Sequence, residues 1–269
     1  TYNGGYSGSL FERAYPEAVK DMQDLINTLE TTDRGDQTML GQAKIWRAVL
    51  FHRITDLYGD IPYSQAGKGF LEGIDFPEYD PQEFIYDDML NEIEAGVALL
   101  GDGGFGSADL VFGGDVDKWR KFGNSMLLRL GMRLSEVDPG KAQDWVSKAI
   151  TAGIMESNAD IALIRHTNGP EGLNNNGIGE VLDKSAGFGD DCPRLSQTLV
   201  SGMLERNDPR LDIFGVLPVN GGEHNGLPNG LDDMTIQDNP TGTTLDDFSS
   251  FNPAITRIDA PMVFMTYSE

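Results

Sequence analysis

Residues 43–63 read AKIWRAVLFHRITDLYGDIPY, and this stretch decides the fold. Ala43, Trp46, Leu50, Ile54 and Leu57 recur at helical spacing, so they share one face of a helix that we place at residues 37–58. Further apolar residues at positions 45, 49 and 51 widen this face beyond half of the helix circumference. A helix with so wide an apolar surface must be packed from more than one side. The stretch therefore predicts a helix inside a packed helical assembly.

Other amphipathic segments lie on both sides of this helix. Residues 14–30, 81–100, 116–137 and 138–152 show the same helical periodicity. The sequence Asp80-Pro81-Gln82-Glu83 predicts the start of the 81–100 helix. Asp80 would be the N-cap, Pro81 the first helical residue and Glu83 the partner of Asp80 in a capping box. Gly123 and Gly131 interrupt the 116–137 helix at some cost, which close contact with another helix explains. We predict a mostly α-helical fold in which 37–58 pairs with 81–100, and 116–137 with 138–152, as antiparallel hairpins.

The composition of the chain changes after Gly153. Segments 165–195 and 215–260 are rich in Gly, Asn, Asp and Pro. One predicted helix, from about Ser196 to Arg206 with Ser196 as its N-cap, separates them. Long irregular loops on a rigid helical scaffold commonly carry binding residues. We therefore expect the ligand side of the protein in this second part of the chain.

The charge balance disfavours several classes of partner. The 269 residues include 20 Lys and Arg against 43 Asp and Glu, which gives a formal net charge of −23 at pH 7. Such a field repels the phosphates of nucleic acids and of anionic lipid headgroups. No segment approaches the roughly 20 apolar residues that span a bilayer. Neutral, cationic and metal-bridged ligands stay open.

Common catalytic and metal-binding patterns find little support in the sequence. His52, His166 and His224 form no HExxH motif and no pair at helical spacing, so we expect no zinc site and no cofactor. We interpret His52 as a structural residue of a packed helix, and Cys192 as a loop thiol rather than a nucleophile. Five aspartates between positions 232 and 247 could bind calcium, but without an EF-hand pattern a solvated acidic loop is favoured.

Aromatic residues outside the helical stripes are the remaining candidates for ligand binding. A ring can pack on the C–H face of a sugar while Asn and Asp side chains bond the sugar hydroxyls. We expect more than half of these rings to pin loops to the core instead. Trp46 and Trp119 lie on helix stripes, and for them a packing role is predicted. The loop set comprises Tyr2, Tyr6, Phe70, Phe76, Phe105, Phe112, Phe188, Phe248 and Phe251.

Several blocks of the sequence resemble, in order, segments typical of the SusD/RagB family. Residues 43–63 resemble its helix followed by a Gly-Asp-Ile-Pro-Tyr turn, and residues 76–86 (FPEYDPQEFIY) the start of its next helix. Residues 114–133 (GDVDKWRKFGNSMLLRLGMR) are similar to a further helix of the family, with glycine at 123 and 131 where alanine is usual. The series continues with DPRL at 208–211, LPNG at 227–230 and MTYSE at 265–269.

The resemblance implies a fold of tetratricopeptide-like helical hairpins with long irregular loops. In one incomplete SusD-like domain over 1–269, the hairpins would occupy 37–153 and the loop-rich ligand side 154–269. The lipid-bearing N-terminus and the C-terminal part of the family would lie outside this sequence. The resemblance further implies a surface-exposed outer-membrane lipoprotein that is not an enzyme. Such a protein captures oligosaccharides and delivers them to its partner, a SusC-like TonB-dependent transporter.

Two alternative functions stay open. Some members of the same family bind peptides, as RagB-like subunits of the same kind of complex. A glycoside hydrolase belongs to a different class, and the 43 acidic residues make a suitable carboxylate pair easy to find. Nothing in the sequence distinguishes starch from other glycans.

We place the ligand site in two segments that combine aromatic rings, polar side chains and glycines. In the loop 184–194, glycines on both sides of Phe188 allow the backbone to present the ring outward. The neighbouring carboxylates could accept hydrogen bonds from vicinal sugar hydroxyls. The N-terminal segment has the same character and is expected to form a second wall. The predicted ligand-binding residues are Tyr2, Asn3, Tyr6, Phe188, Asp190, Asp191 and Cys192.

Overall fold

The computed structural model describes residues 4–167, 176, 193–230, 243–252 and 262–265, of which 4–6 and 262–265 are described by their backbone alone. The chain forms two compact units. One comprises residues 1–163 with 263–269, and the other residues 164–262.

Helices dominate the first unit, which confirms the predicted mostly α-helical fold. Helices α3 and α5 form one extensively packed pair, α6 and α7 another, and α5 also packs on α6. Both predicted hairpins are therefore confirmed. The helices are α1 (Gly4–Ala14), α2 (Lys20–Thr31), α3 (Gln37–Tyr58), α4 (Gly69–Glu72), α5 (Gln82–Leu99), α6 (Val116–Arg133) and α7 (Pro139–Ala152).

Short strands connect the helical parts. Strand β1 (Ile61–Pro62) pairs antiparallel with β2 (Tyr79–Asp80), so that Ile61 lies opposite Asp80. Strand β3 (Ala162–Ile164) follows α7 in the chain and pairs with β6 (Met262–Met265). Both pairs consist of a few residues only, and each forms a separate two-stranded sheet among the described residues.

The N-terminal segment differs from the prediction. The periodicity predicts a helix from residue 14 and leaves Tyr6 in a loop, whereas the backbone is already helical from Gly4, with a π-helical turn at Tyr15–Val19 before α2. Pro16 lies in this turn, where its missing N–H and its ring disrupt regular α-helical bonding. The Tyr15 hydroxyl donates a hydrogen bond to the Pro62 carbonyl at 2.8 Å. The loop placement of Tyr6 was therefore wrong.

The start of α5 is held by a different residue from the one predicted. Asp80 belongs to β2, and its Oδ2 accepts hydrogen bonds from the backbone N–H groups of Tyr63 at 3.2 Å and Ser64 at 2.7 Å. Pro81 occupies the N-cap position, and the N–H of Gln82 donates to Asp60 Oδ1 at 2.9 Å. The predicted capping box of Asp80 and Glu83 was wrong because the Gly-Asp-Ile-Pro-Tyr turn engages Asp80.

Glycines set the distances between the packed helices. A Cβ atom on Gly41 of α3 would lie 2.5 Å from the carbonyl oxygen of Gly96 in α5. On Gly123 of α6 it would lie 2.4 Å from Val97 Cγ2, and on Gly131 3.1 Å from Trp145 Cβ. The close contacts expected at Gly123 and Gly131 are thus confirmed. The core between these helices includes the fully buried residues Ile45, Leu90, Ile93, Phe122 and Leu130.

Aromatic rings fill the junction between α3 and α6. Trp119 is buried, and its indole N–H donates to Asp109 Oδ2 at 2.7 Å. Its ring lies edge-on to Phe112 at a centroid distance of 5.4 Å and to Trp46 at 6.1 Å. Both tryptophans therefore pack against the core, Trp119 as a buried residue and Trp46 as a partly buried one.

The second unit has a small core of its own. It contains α8 (Gln197–Glu205), α9 (Leu211–Phe214) and β4 (Gly215–Val216), which pairs antiparallel with β5 (Ser250–Phe251). Ser196 Oγ accepts the N–H of Leu199 at 3.2 Å, so Ser196 caps α8 as predicted. The core comprises Leu195, Val200, Met203 and Leu211, with Phe251 packed against them.

Candidate ligand-binding site

Most of the predicted ligand-binding residues lie outside the described part of the chain. This holds for Tyr2 and Asn3 and for Phe188, Asp190, Asp191 and Cys192, while Tyr6 lies in α1 and its side chain is not described. Their roles in binding therefore stay predictions. The structure does describe the end of the predicted binding loop, from residue 193 onward.

This end of the 184–194 loop is fixed in the second unit. The Arg194 side chain is 2% exposed, and its Nε–H donates to the Leu245 carbonyl at 2.8 Å. The backbone N–H of Leu195 donates to Ser249 O at 2.8 Å, and the Leu195 carbonyl accepts the N–H of Leu227 at 2.8 Å. The residues at this end, directly before α8, are therefore hydrogen-bonded within the second unit.

A cleft of about 660 Å³ lies along α8 and α9, and we call it the α8 cleft. Its apolar surface includes Leu199 and Phe214, whose residues are 43% and 37% exposed. Ser196, the N-cap of α8, and Thr198 contribute hydroxyl groups. An exposed ring beside hydroxyl, guanidinium and carboxylate groups suits a neutral polyhydroxylated ligand. The cleft is lined by Ser196, Thr198, Leu199, Gly202, Met203, Arg206, Asp208, Arg210 and Phe214.

The carboxylate of the α8 cleft is a permanent anion near neutral pH. Arg210 donates from Nε to Asp208 Oδ1 at 2.9 Å and from Nη2 to Oδ2 at 2.5 Å. These side-chain hydrogen bonds lower the pKa of Asp208 to about 2. Asp208 can accept hydrogen bonds from ligand hydroxyls, but it does not supply a proton. The retaining and inverting mechanisms of glycoside hydrolysis require a second carboxyl group that acts as an acid, and the residues described in this cleft include no such group.

A Ser–His–Asp arrangement, which the sequence does not predict, also lies in the second unit. His224 Nδ1 is 3.0 Å from Ser249 Oγ, and its Nε2 is 3.1 Å from Asp212 Oδ1. Ser249 is fully buried, and its Oγ also accepts the backbone N–H of Asn225 at 3.1 Å. A nucleophilic serine must reach its substrate. The three residues therefore connect segments of the second unit rather than form a catalytic triad.

The first unit carries two grooves that meet at Asp56 and Arg133. One groove lies between α3 and α6 and includes Trp46, Leu50 and Arg129. The other borders α5 and α7 and includes Tyr86 and Lys141. Each has a volume of about 600 Å³. Arg133 forms an ion pair with Asp56. The Tyr86 hydroxyl donates to Asp56 Oδ1 at 2.5 Å. Burial and this contact raise the pKa of Tyr86 to about 12, so its hydroxyl remains a donor.

His52 belongs to the same region and is buried, which confirms its interpretation as a structural residue. Its Nε2 lies 3.0 Å from Asp56 Oδ2. Burial lowers the pKa of His52, and the nearby charges of Arg129 and Arg133 act in the same direction, against the opposing effect of Asp56. The ring is therefore neutral at pH 7.

The acidic stretch 232–247 is described only in its last part. Asp247 Oδ2 accepts the backbone N–H of Thr244 at 2.6 Å, and its Oδ1 accepts Asn220 Nδ2–H at 2.8 Å. Asp246 lies 3.4 Å from Arg194. Both carboxylates thus bond to protein groups, and among the described residues no three His, Cys, Asp or Glu side chains are grouped to hold a metal ion.

The loop aromatics divide into two groups. Phe112 packs on Trp119, and Phe105 packs on the cluster around α2 and α3. Within the second unit, Phe248 is buried and Phe251 packs against the core. Phe70 and Phe76 are instead 92% and 93% exposed. The structure describes the side chains of these six rings, and the first four pack on protein. For these six, the expectation that more than half pack on the core is confirmed.

Comparison with known proteins identifies the family. A family model described as SusD-like, starch-binding and associating with the outer membrane, matches residues 2–269. The chain belongs to this SusD-like family. A search of curated protein sequences gave no match. None of the helices described is long and apolar enough to cross a membrane.

Solved SusD-like structures share the fold. A structure described as a chitin-binding protein has a TM-score of 0.82 and 28% sequence identity, and the match covers all of this chain and 57% of that one. A SusD-like protein from Bacteroides thetaiotaomicron gives a TM-score of 0.77 at 26% identity, with 98% of this chain and 52% of that chain covered. A SusD homologue from Bacteroides vulgatus gives 0.76 at 25% identity, with the same coverage. The chain thus spans a little over half of the length of these relatives.

Proposed function

We propose that this chain belongs to a non-catalytic glycan-binding protein that captures oligosaccharides at the cell surface. The observation that carries the proposal is the match of residues 2–269 to a family described as starch-binding and outer-membrane-associated. The structural relative described as chitin-binding supports a glycan as the ligand. The net charge of −23 is compatible with a neutral glycan and opposes an anionic one.

The ligand site of this proposal lies in the second unit. The α8 cleft offers the exposed ring of Phe214, the hydroxyl groups of Ser196 and Thr198 and the anionic Asp208. The 184–194 loop, which ends at the first residues of this cleft, would add Phe188, Asp190, Asp191 and Cys192. Tyr2, Asn3 and Tyr6 belong to the first unit, and their part in ligand binding stays a separate prediction. Ring stacking on a sugar is expected to be the largest single contribution, on the order of 1 kcal/mol.

Among the described residues, neither Asp208 nor Glu92 is suited to act as a catalytic acid, which supports binding without hydrolysis. Asp208 has a strongly lowered pKa and remains ionised. Burial raises the pKa of Glu92, as a catalytic acid would need. However, the Glu92 carboxylate lies in the helical core at 2.6 Å from Arg47 Nη1, and its side chain is only 12% exposed. It has no access to a polysaccharide.

The experiment that tests this function is incubation of the full-length protein with defined ligands. Chito-oligosaccharides, malto-oligosaccharides and a set of unrelated peptides would each be titrated, and the mixtures would then be analysed by chromatography. We expect saturable binding of one class of oligosaccharide with the ligand recovered intact. Binding of peptides alone would favour the RagB-like function, and shortened oligosaccharides would show a hydrolase.

The delivery step requires a partner. A surface lipoprotein that captures glycans cannot itself move them across the outer membrane, so a SusC-like TonB-dependent transporter is proposed as the partner, as in the family. Extraction of the native protein in mild detergent should recover a complex with a large outer-membrane transporter. Repeated recovery of the protein by itself would contradict this part of the proposal.

A further inference from the structure

Two phenylalanines stand almost fully exposed in the segment that runs from β1 through the short helix α4 to β2, where Phe70 belongs to α4 rather than to a loop as predicted. Phe70 is 92% and Phe76 93% exposed, in the segment that we call the 64–80 loop. Tyr79, at the end of the same loop, is 63% exposed. Single exposed apolar residues are common on protein surfaces, but several large ones in one short segment are typical of an interaction site.

The 64–80 loop is held in place at its base. Besides the β1–β2 pairing, the Ser64 hydroxyl donates to Asp80 Oδ2 at 2.9 Å, and the Glu78 N–H donates to Gln65 Oε1 at 3.0 Å. The chain also folds back on itself near its tip, where a Cβ atom on Gly69 would lie 3.4 Å from Asp75 Oδ1 and 3.6 Å from the Ile74 carbonyl. Phe70 and Phe76 directly follow these neighbouring positions. The two rings are therefore exposed on a segment that hydrogen bonds and close backbone contacts hold in place.

The charges around the two rings have one predominant sign. Glu72, Asp75 and Glu78 lie between or beside them, whereas Lys68 is the cation of this segment and is 3.2 Å from Glu72. A surface of this kind repels anionic lipid headgroups. It is complementary to a surface with lysine or arginine around an apolar depression.

We infer that the 64–80 loop docks a protein partner that receives Phe70 and Phe76 in an apolar socket with a basic rim. A small-molecule ligand is a poorer fit, because such ligands typically bind in concave pockets and none of the three clefts described above includes residues of this loop. Two large aromatic side chains that become buried together are typical of the residues that dominate protein interfaces. The inference is independent of the proposed glycan function.

Site-specific photo-cross-linking in the native host tests this inference. A photoreactive phenylalanine analogue would replace Phe70 or Phe76 in the full-length protein, and Leu110, which is 74% exposed in the same unit, would serve as the control position. We expect one and the same protein adduct at positions 70 and 76, at least tenfold above the yield at 110. The cross-linked peptide of the partner should contain apolar residues flanked by lysine or arginine. Reversing the charge in Glu72→Lys, Asp75→Lys and Glu78→Lys together should lower the yield at least tenfold.

The other outcomes overturn the inference. These are equal yields at all three positions, adducts with lipid or glycan, adducts with a second copy of this chain, or no adduct. The double variant Phe70→Ser and Phe76→Ser separates the inference from the proposed function. It should keep the oligosaccharide affinity of the wild type and lose the partner. A loss of oligosaccharide affinity in this variant would assign the loop to the glycan site instead.

Discussion

At the scale of single residues, Arg47 lies at the centre of a buried polar network in the first unit, where it contacts Glu92 and Tyr63. Arg47 Nη1 lies 2.6 Å from Glu92 Oε2 and 3.0 Å from the Tyr63 hydroxyl oxygen, and the guanidinium lies 4.5 Å from the centre of the Tyr63 ring. The Tyr63 hydroxyl donates to Asp88 Oδ2 at 2.7 Å, and burial raises the pKa of this tyrosine. The contacts tie α3, the Gly-Asp-Ile-Pro-Tyr turn and α5 together. Loss of one partner from such a network leaves the other charge buried without compensation.

Trp119 is expected to contribute to stability rather than to ligand binding. Replacing a buried tryptophan by alanine typically costs about 3–5 kcal/mol of unfolding free energy. Trp119→Ala also leaves the Asp109 carboxylate without its indole donor. Thermal unfolding should therefore show a large drop in Tm, while Phe76→Ala, at an exposed position, should leave Tm unchanged. A Trp119→Ala protein with wild-type Tm and reduced sugar affinity would disprove this assignment.

Phe188 and Tyr6 are predicted to contribute to ligand binding rather than to stability. Phe188→Ala should weaken oligosaccharide binding several-fold, because a stacked ring contributes about 1 kcal/mol, and should leave Tm nearly unchanged. Tyr6→Ala should also weaken binding. Titration calorimetry and thermal unfolding of both variants measure the two quantities separately. If both variants bind as the wild type does, the predicted site residues are wrong.

Asp160 makes the stability of the first unit depend on pH in the acidic range. The N–H of Glu156 donates to its Oδ2 at 3.0 Å and Lys121 Nζ lies 3.2 Å from it, and these contacts lower the pKa of Asp160 against the opposing effect of its burial. A carboxyl group with a lowered pKa stabilises the fold above its unfolded-state pKa of about 3.9, and this contribution is lost as the pH falls through the folded-state value.

Asp160→Asn should therefore be less stable than the wild type at pH 7, and the difference should shrink as the pH falls below about 4. Denaturant unfolding between pH 7 and pH 3 measures the difference, with Asp144→Asn, at an exposed position on α7, as the control. A difference that stays constant over this range would mean that the Asp160 charge does not contribute.

At the scale of helices, close approach between α3 and α5 depends on glycine. In Gly41→Ala the added Cβ would lie 2.5 Å from the Gly96 carbonyl and 3.2 Å from Leu100 Cδ2, so the helices must separate. We expect a loss of about 1–3 kcal/mol, as for other overpacked cores. Gly140→Ala in α7 is the matched control, since its Cβ would meet only Asp138 Oδ1, at 3.6 Å. This variant should be neutral or more stable by up to about 1 kcal/mol. Equal Tm values for the two variants would contradict the packing described.

Helical periodicity predicted the helices and their pairing because each apolar stripe is a local property of the sequence. The exceptions depend on distant residues. Asp80 failed as an N-cap because Ser64 and Tyr63 engage its carboxylate, and Asp60 supplies the acceptor for α5 instead. Tyr6 failed as a loop residue because the helix continues through a π-helical turn at Pro16. In neither case do the residues next to the predicted helix end indicate the difference.

At the scale of the whole molecule, the family was predictable and the candidate site was only partly so. Blocks 43–63, 76–86 and 114–133 carry the resemblance, and the family match over residues 2–269 confirms it. The α8 cleft was not predicted. Phe214 follows Ser196 and Thr198 by more than a dozen residues and Asp208 by a few. Folding of α9 back toward α8 brings these residues to the same cleft. The Ser249–His224–Asp212 contacts likewise join three separate segments.

The central claim is that this chain binds a glycan in its second unit without cleaving it. The most direct measurement is calorimetric titration of the full-length protein with the oligosaccharide that binds best in the panel. Phe214→Ala would be compared with Ile213→Ala, its neighbour on α9, which is 54% exposed and does not line the α8 cleft. We predict saturable binding to the wild type and to Ile213→Ala, and at least a several-fold weaker affinity for Phe214→Ala, measured at a temperature at which all three proteins are folded. Equal affinities of all three proteins, or no binding of any oligosaccharide to the wild type, would contradict the claim.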